Sequence, residues 1–441
     1  MEDEVGRRAL AKATRRLIPF LFGIYVVAYL DRVNVSFAQL QLEDDLGFSD
    51  TIFGLGAGIF SLGYVIFGVP SNLALARFGA RRWLAAIMIV WGILSASTMF
   101  ITGAAGFYIL RFVLGAAEAG FFPGIILYLT WWFPERERTR ALALFLTAIS
   151  VAYVAGGPIS GGLLELDGVL GLDGWQWLFL CEGLPAVGLG IFTLRYLDEG
   201  PEDAEWLDAE ERDYLVGEIA RERALMEAAA PGGGRIGDAL ASGQVWLLGL
   251  IYFILLSAGF GLTFFVPDLV QDRTGFSDFE VGALAAVPYG IATVAMLVVA
   301  RRADRAPSRR PYIAGLALVG ALGTVLTAYA QSTLLLTVAI SLAAVGLLGA
   351  IPVFWALPTA FLSGAGAAAG IALIAVLGNL GGFAGPAFTG ISEDSTGGFE
   401  MPLTVLAGLL VVGAALVYAA RESPAPAPTT TPAPAAAGDS L

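Results

Sequence analysis

Residues 83–103 read WLAAIMIVWGILSASTMFITG, twenty-one positions without one charged side chain. As a helix this stretch would be ~31 Å long at about 1.5 Å per residue. That matches the ~30 Å hydrocarbon core of a bilayer. Arg81 and Arg82 stop it at one end. A helix is the expected conformation, because a lipid-facing backbone must satisfy its own amides. Working outward, eleven further apolar runs occupy about 17–40, 51–76, 107–132, 141–164, 175–197, 244–266, 281–300, 312–330, 333–358, 369–391 and 401–420. The expectation is an all-α membrane protein with twelve transmembrane helices.

Composition agrees. Charged residues make up 14% of the 441-residue chain and hydrophobic ones 57%, against roughly 25% charged in soluble domains. The first run carries Asp31 and Arg32, which argues against a cleavable leader. Basic residues then orient the bundle. Of 25, only Lys12 is a lysine. Twenty-two fall in the N-terminus, in alternate loops or in the tail, all on one side of a twelve-helix arrangement. Arg273 lies on the other side, and Arg32 and Arg111 lie inside runs. The positive-inside rule then puts both termini in the cytoplasm of a plasma-membrane protein. The net charge of −13 and pI near 4.6 speak against nucleic-acid binding. Acidic loops with arginine in place of lysine suggest a salt-loving source. With one cysteine, Cys181, and no histidine, an internal disulfide and a Cys–His metal site are both excluded. The oligomeric state is not legible, and a monomer is the starting expectation.

The runs group into halves, residues 1–197 and 244–421, joined by an acidic linker at 198–243. Within the linker, Asp208 and Glu211 suggest a capping box opening a short amphipathic helix through Tyr214, Leu215 and Ile219. Pro231-Gly232-Gly233-Gly234 reads as a flexible break. The Pro/Ala/Thr-rich segment 422–441 reads as a disordered tail. A basic turn recurs at the same place in each half: Ala76-Arg77-Phe78-Gly79-Ala80-Arg81-Arg82 and Asp304-Arg305-Ala306-Pro307-Ser308-Arg309-Arg310. Two halves with matching turns suggest parallel repeats with a substrate site between them near the midplane.

At these turns the chain resembles the major facilitator superfamily, whose motif runs Gly-x-x-x-Asp-Arg-x-Gly-Arg-Arg. The second copy keeps Asp304, Arg305, Arg309 and Arg310. The first keeps Arg77, Gly79 and Arg81 but has Asn72 and Ala76 at the leading Gly and the Asp. The resemblance implies a cytoplasmic gate at these residues, with a weaker N-half latch or one that uses other partners. Tyr29-Leu30-Asp31-Arg32-Val33-Asn34, Pro70-Ser71-Asn72, the stretch from Arg111 to Gly124, and Trp131-Trp132-Phe133-Pro134 are similar to the anion:cation symporter family. Pro352 to Thr359 and Gly378-Asn379-Leu380-Gly381-Gly382 resemble its tartrate, phthalate and hydroxyphenylacetate branch. That implies a major facilitator fold of two six-helix bundles carrying a small organic anion with protons or sodium.

Five ionisable residues lie well inside the runs: Asp31, Arg32, Arg111, Glu118 and Glu182. Charges there are costly and mark function by default; the plainer role is an ion pair that only ties helices, the preferred reading for Glu182. Arg32 should lie ~22 Å from the inner face, Arg111 ~6 Å and Glu118 ~16 Å from the outer face. Arg111, Gly115 and Glu118 share one helix face. Gly115 leaves open space between the two charges that an anion could reach, and Pro123 and Gly124 allow a bend below it. Arginine binds carboxylates through a two-pronged fork and stays charged when desolvated. Desolvation favours the neutral form of an isolated carboxyl group, and a nearby guanidinium opposes this. An anion arriving at the arginine would lift that opposition and so couple the two events. Relatives in the resembling family use the matching arginines for the anion and the matching Asp and Glu for protons. The expected anchors are therefore Arg32 and Arg111, and the expected proton carriers Asp31 and Glu118. Tyr64 resembles a substrate-contacting position, with aromatic packing as the alternative. Asn379 is a candidate hydrogen-bond donor or helix glue. Trp355, Phe354 and Phe264 suggest an apolar wall or ordinary core.

No cofactor is expected beyond the driving ion, a proton or else sodium. Gly157-Pro158-Ile159-Ser160-Gly161-Gly162 matches a motif linked to exporters and keeps a drug or organic-anion antiporter open. Two intramembrane arginines suit an anion better than a lipophilic cation. An enzyme is disfavoured by the lack of histidine, metal cluster or G-x-x-x-x-G-K-[ST] loop. A receptor or scaffold would bind without flux.

Overall fold

The computed structural model describes residues 2–229, 241–361 and 364–421. The glycine break at 231–234 and the tail 422–441 lie outside them, as do the side chains of Asp304 and Thr359. Every regular element described is a helix. Among the described residues, twelve helices are long and apolar enough to cross a membrane. They are α1 (Glu4–Leu46), α2 (Asp50–Phe78), α3 (Ala80–Phe100), α4 (Ala104–Trp132), α5 (Arg140–Leu164) and α6 (Gly174–Tyr196), then α7 (Gly243–Thr274), α8 (Asp278–Ala303), α9 (Arg310–Tyr329), α10 (Thr333–Pro358), α11 (Ala369–Thr396) and α12 (Glu400–Ala419). Local chemistry sets their ends. The Ser49 hydroxyl caps α2 by accepting from the Ile52 amide at 3.4 Å. Asp173 with Gln176, and Ser277 with Glu280, form capping boxes that open α6 and α8. Gly47 and Gly275 take positive φ where α1 and α7 stop.

Two differences from the sequence reading have physical causes. The first helix is far longer than the apolar run 17–40. Hydropathy reports the slab of lipid, but the helix continues beyond it because Ala9 and Ala13 bury against protein. There it meets the linker helix Ala209–Ala229, with Gly6 against the Tyr214 ring. Lys12 bridges Glu211 at 2.6 Å and Asp208 at 3.1 Å. Second, α4 breaks after Glu118 rather than at Pro123, restarting at Phe121. A proline ring clashes with the carbonyl four residues earlier, here that of Ala119. Pro267 acts alike in α7, which is broken after Thr263.

The halves are α1–α6 and α7–α12. They meet through α2 on α11 and α5 on α8. Under a six-helix repeat these two junctions are one contact used twice. At the end of the bundle away from both termini the seams are backbone-close. Gly54 abuts the Pro386 carbonyl, Gly58 the Phe383 backbone, Gly157 the Gly282 carbonyl and Gly161 the Asp278 carbonyl. A side chain at any of these positions would collide with backbone, so glycine is required by proximity. Hydrogen bonds lock the same end. The Gln41 amide donates to Asp278 at 2.8 Å, the Thr51 amide to Asp394 at 2.8 Å and the Phe279 amide to Glu165 at 3.4 Å.

Candidate functional site

On α1, Asp31 and Asn34 share one face, and Arg32 is turned ~100° from Asp31. The face with Asp31 is turned to α3, where the Ser95 hydroxyl donates to its Oδ1. Arg32 reaches α4 and donates through Nη2 to Glu118 Oε2 at 2.8 Å. Its guanidinium lies 5.4, 5.1 and 5.2 Å from the Tyr29, Phe60 and Tyr64 rings. Such cation–π contacts partly replace lost hydration. Arg32 keeps 21% of its side-chain surface exposed. Arg111 is 1% exposed, 4.9 Å from the Phe60 ring, with Nε and Nη2 unpartnered. It faces Asp31 and Glu118 electrostatically without a direct salt bridge to either.

The structure thus brings Asp31, Arg32, Arg111, Glu118 and Tyr64 together on α1, α2 and α4. A buried arginine with two idle nitrogens is a ready donor to a carboxylate. A second arginine held by a buried glutamate is a contact that an anion could exchange into.

Several expectations change. Gly115 leaves no open space, because its face is filled by the Phe60 carbonyl of α2. Glycine in a lipid-embedded helix admits either a ligand or a neighbouring backbone, and here the backbone took the place. Asn379 donates to the Ala375 carbonyl of its own helix at 2.9 Å. Phe354 is fully buried and stacks on Tyr252 at 5.1 Å, with Trp355 edge-on to Tyr252 at 5.1 Å. Phe264 stacks on Phe260 at 5.6 Å. A small cleft between the halves, lined by Val33, Ser36, Tyr153, Thr263 and Tyr289, holds no charged side chain, so it lies apart from the arginines.

Ser95 and Phe60 were missed by the sequence reading, and neither could be singled out among many serines and aromatics in apolar runs. At the basic turns, Gly79 takes φ +84° beside the Glu199 carboxylate, which accepts from the Arg81 amide at 3.3 Å. Glu199 is thus an acidic partner for a turn that has Ala76 where the motif has Asp. Arg77 lies over Phe78, 5.6 Å from its ring. Arg305 ends the helix that carries Asp304, and Arg309 precedes α9. Elsewhere Asp50, Glu393 and Asp394 gather carboxylate oxygens within 4.8 Å of one another at the α2–α11 seam.

Comparison with known proteins places the chain in a family. The Major Facilitator Superfamily model matches residues 21–386. A putative tartrate transporter of Agrobacterium vitis is 46% identical over 96% of this chain and 93% of its own. A quinolone resistance transporter of Acinetobacter baumannii is 38% identical over 92% of this chain and 93% of its own. The fold also matches the crystal structure of a bacterial homologue of the human lysosomal transporter Spinster, with TM-score 0.74 at 18% identity over 92% of this chain and 96% of the other. With the family model spanning most of the chain and full-length relatives well above 30% identity, this twelve-helix protein belongs to the major facilitator superfamily.

Proposed function

We propose that the chain carries a small organic anion (a carboxylate, sugar acid or aromatic acid) across the plasma membrane by proton-coupled symport with alternating access. It is a multi-pass membrane transporter and not an enzyme. The observation that carries the reading is the Arg32–Glu118 bridge beside a buried Arg111 with idle nitrogens. A substrate carboxylate takes the free edge of Arg111 and competes with Glu118 for Arg32. The displaced Glu118 then stands in a dry site without its countercharge, where a proton neutralises it. Binding of anion and proton are thereby reciprocal. The positive-inside arrangement supports cytoplasmic termini, so the closed seam faces outside and the cycle opens it. The protein acts as a monomer in lipid.

Export of a drug is the second reading, favoured by the quinolone resistance relative and the glycine motif of α5. Yet Gly157 and Gly161 are both used to seat the backbone of α8, which accounts for the motif without a drug.

The test is uptake into proteoliposomes of tartrate, galactonate, glucuronate, lactate, phthalate and hydroxyphenylacetate under an imposed proton gradient, with and without sodium. One of these anions should accumulate with the proton gradient alone. Strict dependence on sodium would replace the proton in this scheme. Expulsion of a lipophilic cation with no anion movement would overturn it.

The seam makes its own prediction. Gly157→Leu forces a side chain against the Gly282 carbonyl, an overpacking that costs about 1–3 kcal/mol. The gate equilibrium should move roughly 10–100-fold toward the outward-open form. A cysteine at Ser36, in a Cys181→Ala background, should then react faster with an impermeant thiol reagent added outside. Unchanged reactivity with normal uptake would mean that the seam does not gate.

A further inference from the structure

Glu182 is a buried acid that the transport scheme leaves unused. It is 5% exposed, at the centre of α6. The Ser160 hydroxyl of α5 donates to its Oε1 at 2.9 Å, and Oε2 has no partner. Among the described residues no arginine or lysine forms a salt bridge with it. The backbones of α3 and α6 touch at this level, Gly183 against Gly92 and Ala96.

Asn34 of α1 is fully buried and faces both Asp31 and Glu182. Neither of its amide atoms reaches full hydrogen-bond geometry. Four buried polar atoms on adjacent side chains are therefore unsatisfied together: Asp31 Oδ2, Asn34 Nδ2, Asn34 Oδ1 and Glu182 Oε2. Three are acceptors and the Asn34 amide nitrogen brings two hydrogens, so the set is one hydrogen short. A proton on Glu182 Oε2 supplies it. That O–H donates to Asn34 Oδ1, and Asn34 Nδ2 donates to Asp31 Oδ2, which gives each of the four atoms a partner. Charge points the same way. The buried cluster holds Asp31, Glu118 and Glu182 against Arg32 and Arg111, one acid in excess. The charged groups facing the chain are Asp31 and, behind it, Arg111 and Glu118 of α4. Ser95 of α3 and Ser160 of α5 are neutral donors to it, and Cys181 neighbours Glu182 on its own helix.

We propose that Glu182 is a proton-binding site whose resident proton, held through Asn34 to Asp31, neutralises the intramembrane charge cluster while the carrier moves. This proton stays with the protein and is distinct from the one carried through Glu118; only its effect on transport rests on the symport reading. Ser160 lies in the same turn as Gly157 and Gly161, so the chain is tied to the helix that seals the seam.

The test starts with a measurement that needs no substrate. Infrared spectra of the protein in vesicles, recorded across pH, report protonated buried carboxyl groups. At pH 7 the wild type should show such a band that is absent in Glu182→Gln and retained in Glu118→Gln. Asn34→Ala should keep the band and shift its frequency, which provides a second variant should the first fold poorly. A Glu182→Gln spectrum superimposable on wild type overturns the proposal. So does loss of the wild-type band when sodium replaces choline at constant pH, since a sodium ion would then occupy the site. In tartrate exchange, Glu182→Gln should keep its neutral-pH rate within about twofold and lose the alkaline decline of the wild type. Exchange that declines with pH as in the wild type counts against the proposal. A wild type that carries no tartrate counts against the transport reading, while the infrared result still decides the fate of Glu182.

Discussion

Arg111→Lys should lower anion uptake by roughly 10–100-fold while the protein still inserts and folds. Arg111 is buried, lies over Phe60, and keeps Nε and Nη2 free on one edge. That edge fits both oxygens of a carboxylate, whereas an ammonium is a compact point charge without the planar fork. The charge survives but one prong of the fork is lost; a hydrogen bond to a charged group is worth about 1.5–3 kcal/mol, and each ~1.4 kcal/mol is tenfold in affinity. Arg32→Lys should be milder, within roughly tenfold, because Arg32 is partly exposed and a lysine can still meet Glu118. The measurements are initial uptake rates in proteoliposomes and anion-induced thermal stabilisation in detergent. Uptake by Arg111→Lys within threefold of wild type would remove Arg111 from the anion site.

The asymmetry between these two arginines was not visible in the sequence, although both were. Intramembrane charges are rare enough that Asp31, Arg32, Arg111, Glu118 and Glu182 stand out without any alignment. Hydropathy likewise located all twelve spans, because the bilayer imposes one length on each. What failed depended on partners distant in the chain. Gly115 could offer space or accept a backbone, and only the placement of Phe60 decides between them. The seam glycines Gly54, Gly58, Gly157 and Gly161 look like any of the 56 glycines until α11 and α8 lie against them. Neutral polar residues are the least legible. Ser95 and Ser160 sit in helices where a serine more often bonds its own backbone, yet each reaches another helix here, as does Gln41. The break in α4 was misplaced by one turn because the clash of a proline falls on residue i−4, not on the proline itself.

Glu118→Gln should keep anion exchange within about threefold and abolish gradient-driven accumulation. Glutamine preserves the side-chain volume and can still accept from Arg32 through its carbonyl oxygen. Packing on α4 is thereby retained, and the anchors stay where they are. The variant cannot bind and release a proton at this position. It also leaves the Arg32 charge unneutralised, so anion binding to the resting protein should tighten rather than weaken. With one proton per anion, each unit of pH gradient supports about tenfold accumulation. Wild-type vesicles under such a gradient should approach that ratio, and Glu118→Gln vesicles should stay near equal concentrations on the two sides. Counterflow, with labelled anion outside and unlabelled anion inside, separates a coupling defect from a binding defect. Accumulation equal to wild type would mean that the transported proton travels elsewhere, with Asp31 the next residue to test. Loss of counterflow together with accumulation would mean that the Arg32–Glu118 bridge holds α1 to α4 and does not exchange with substrate.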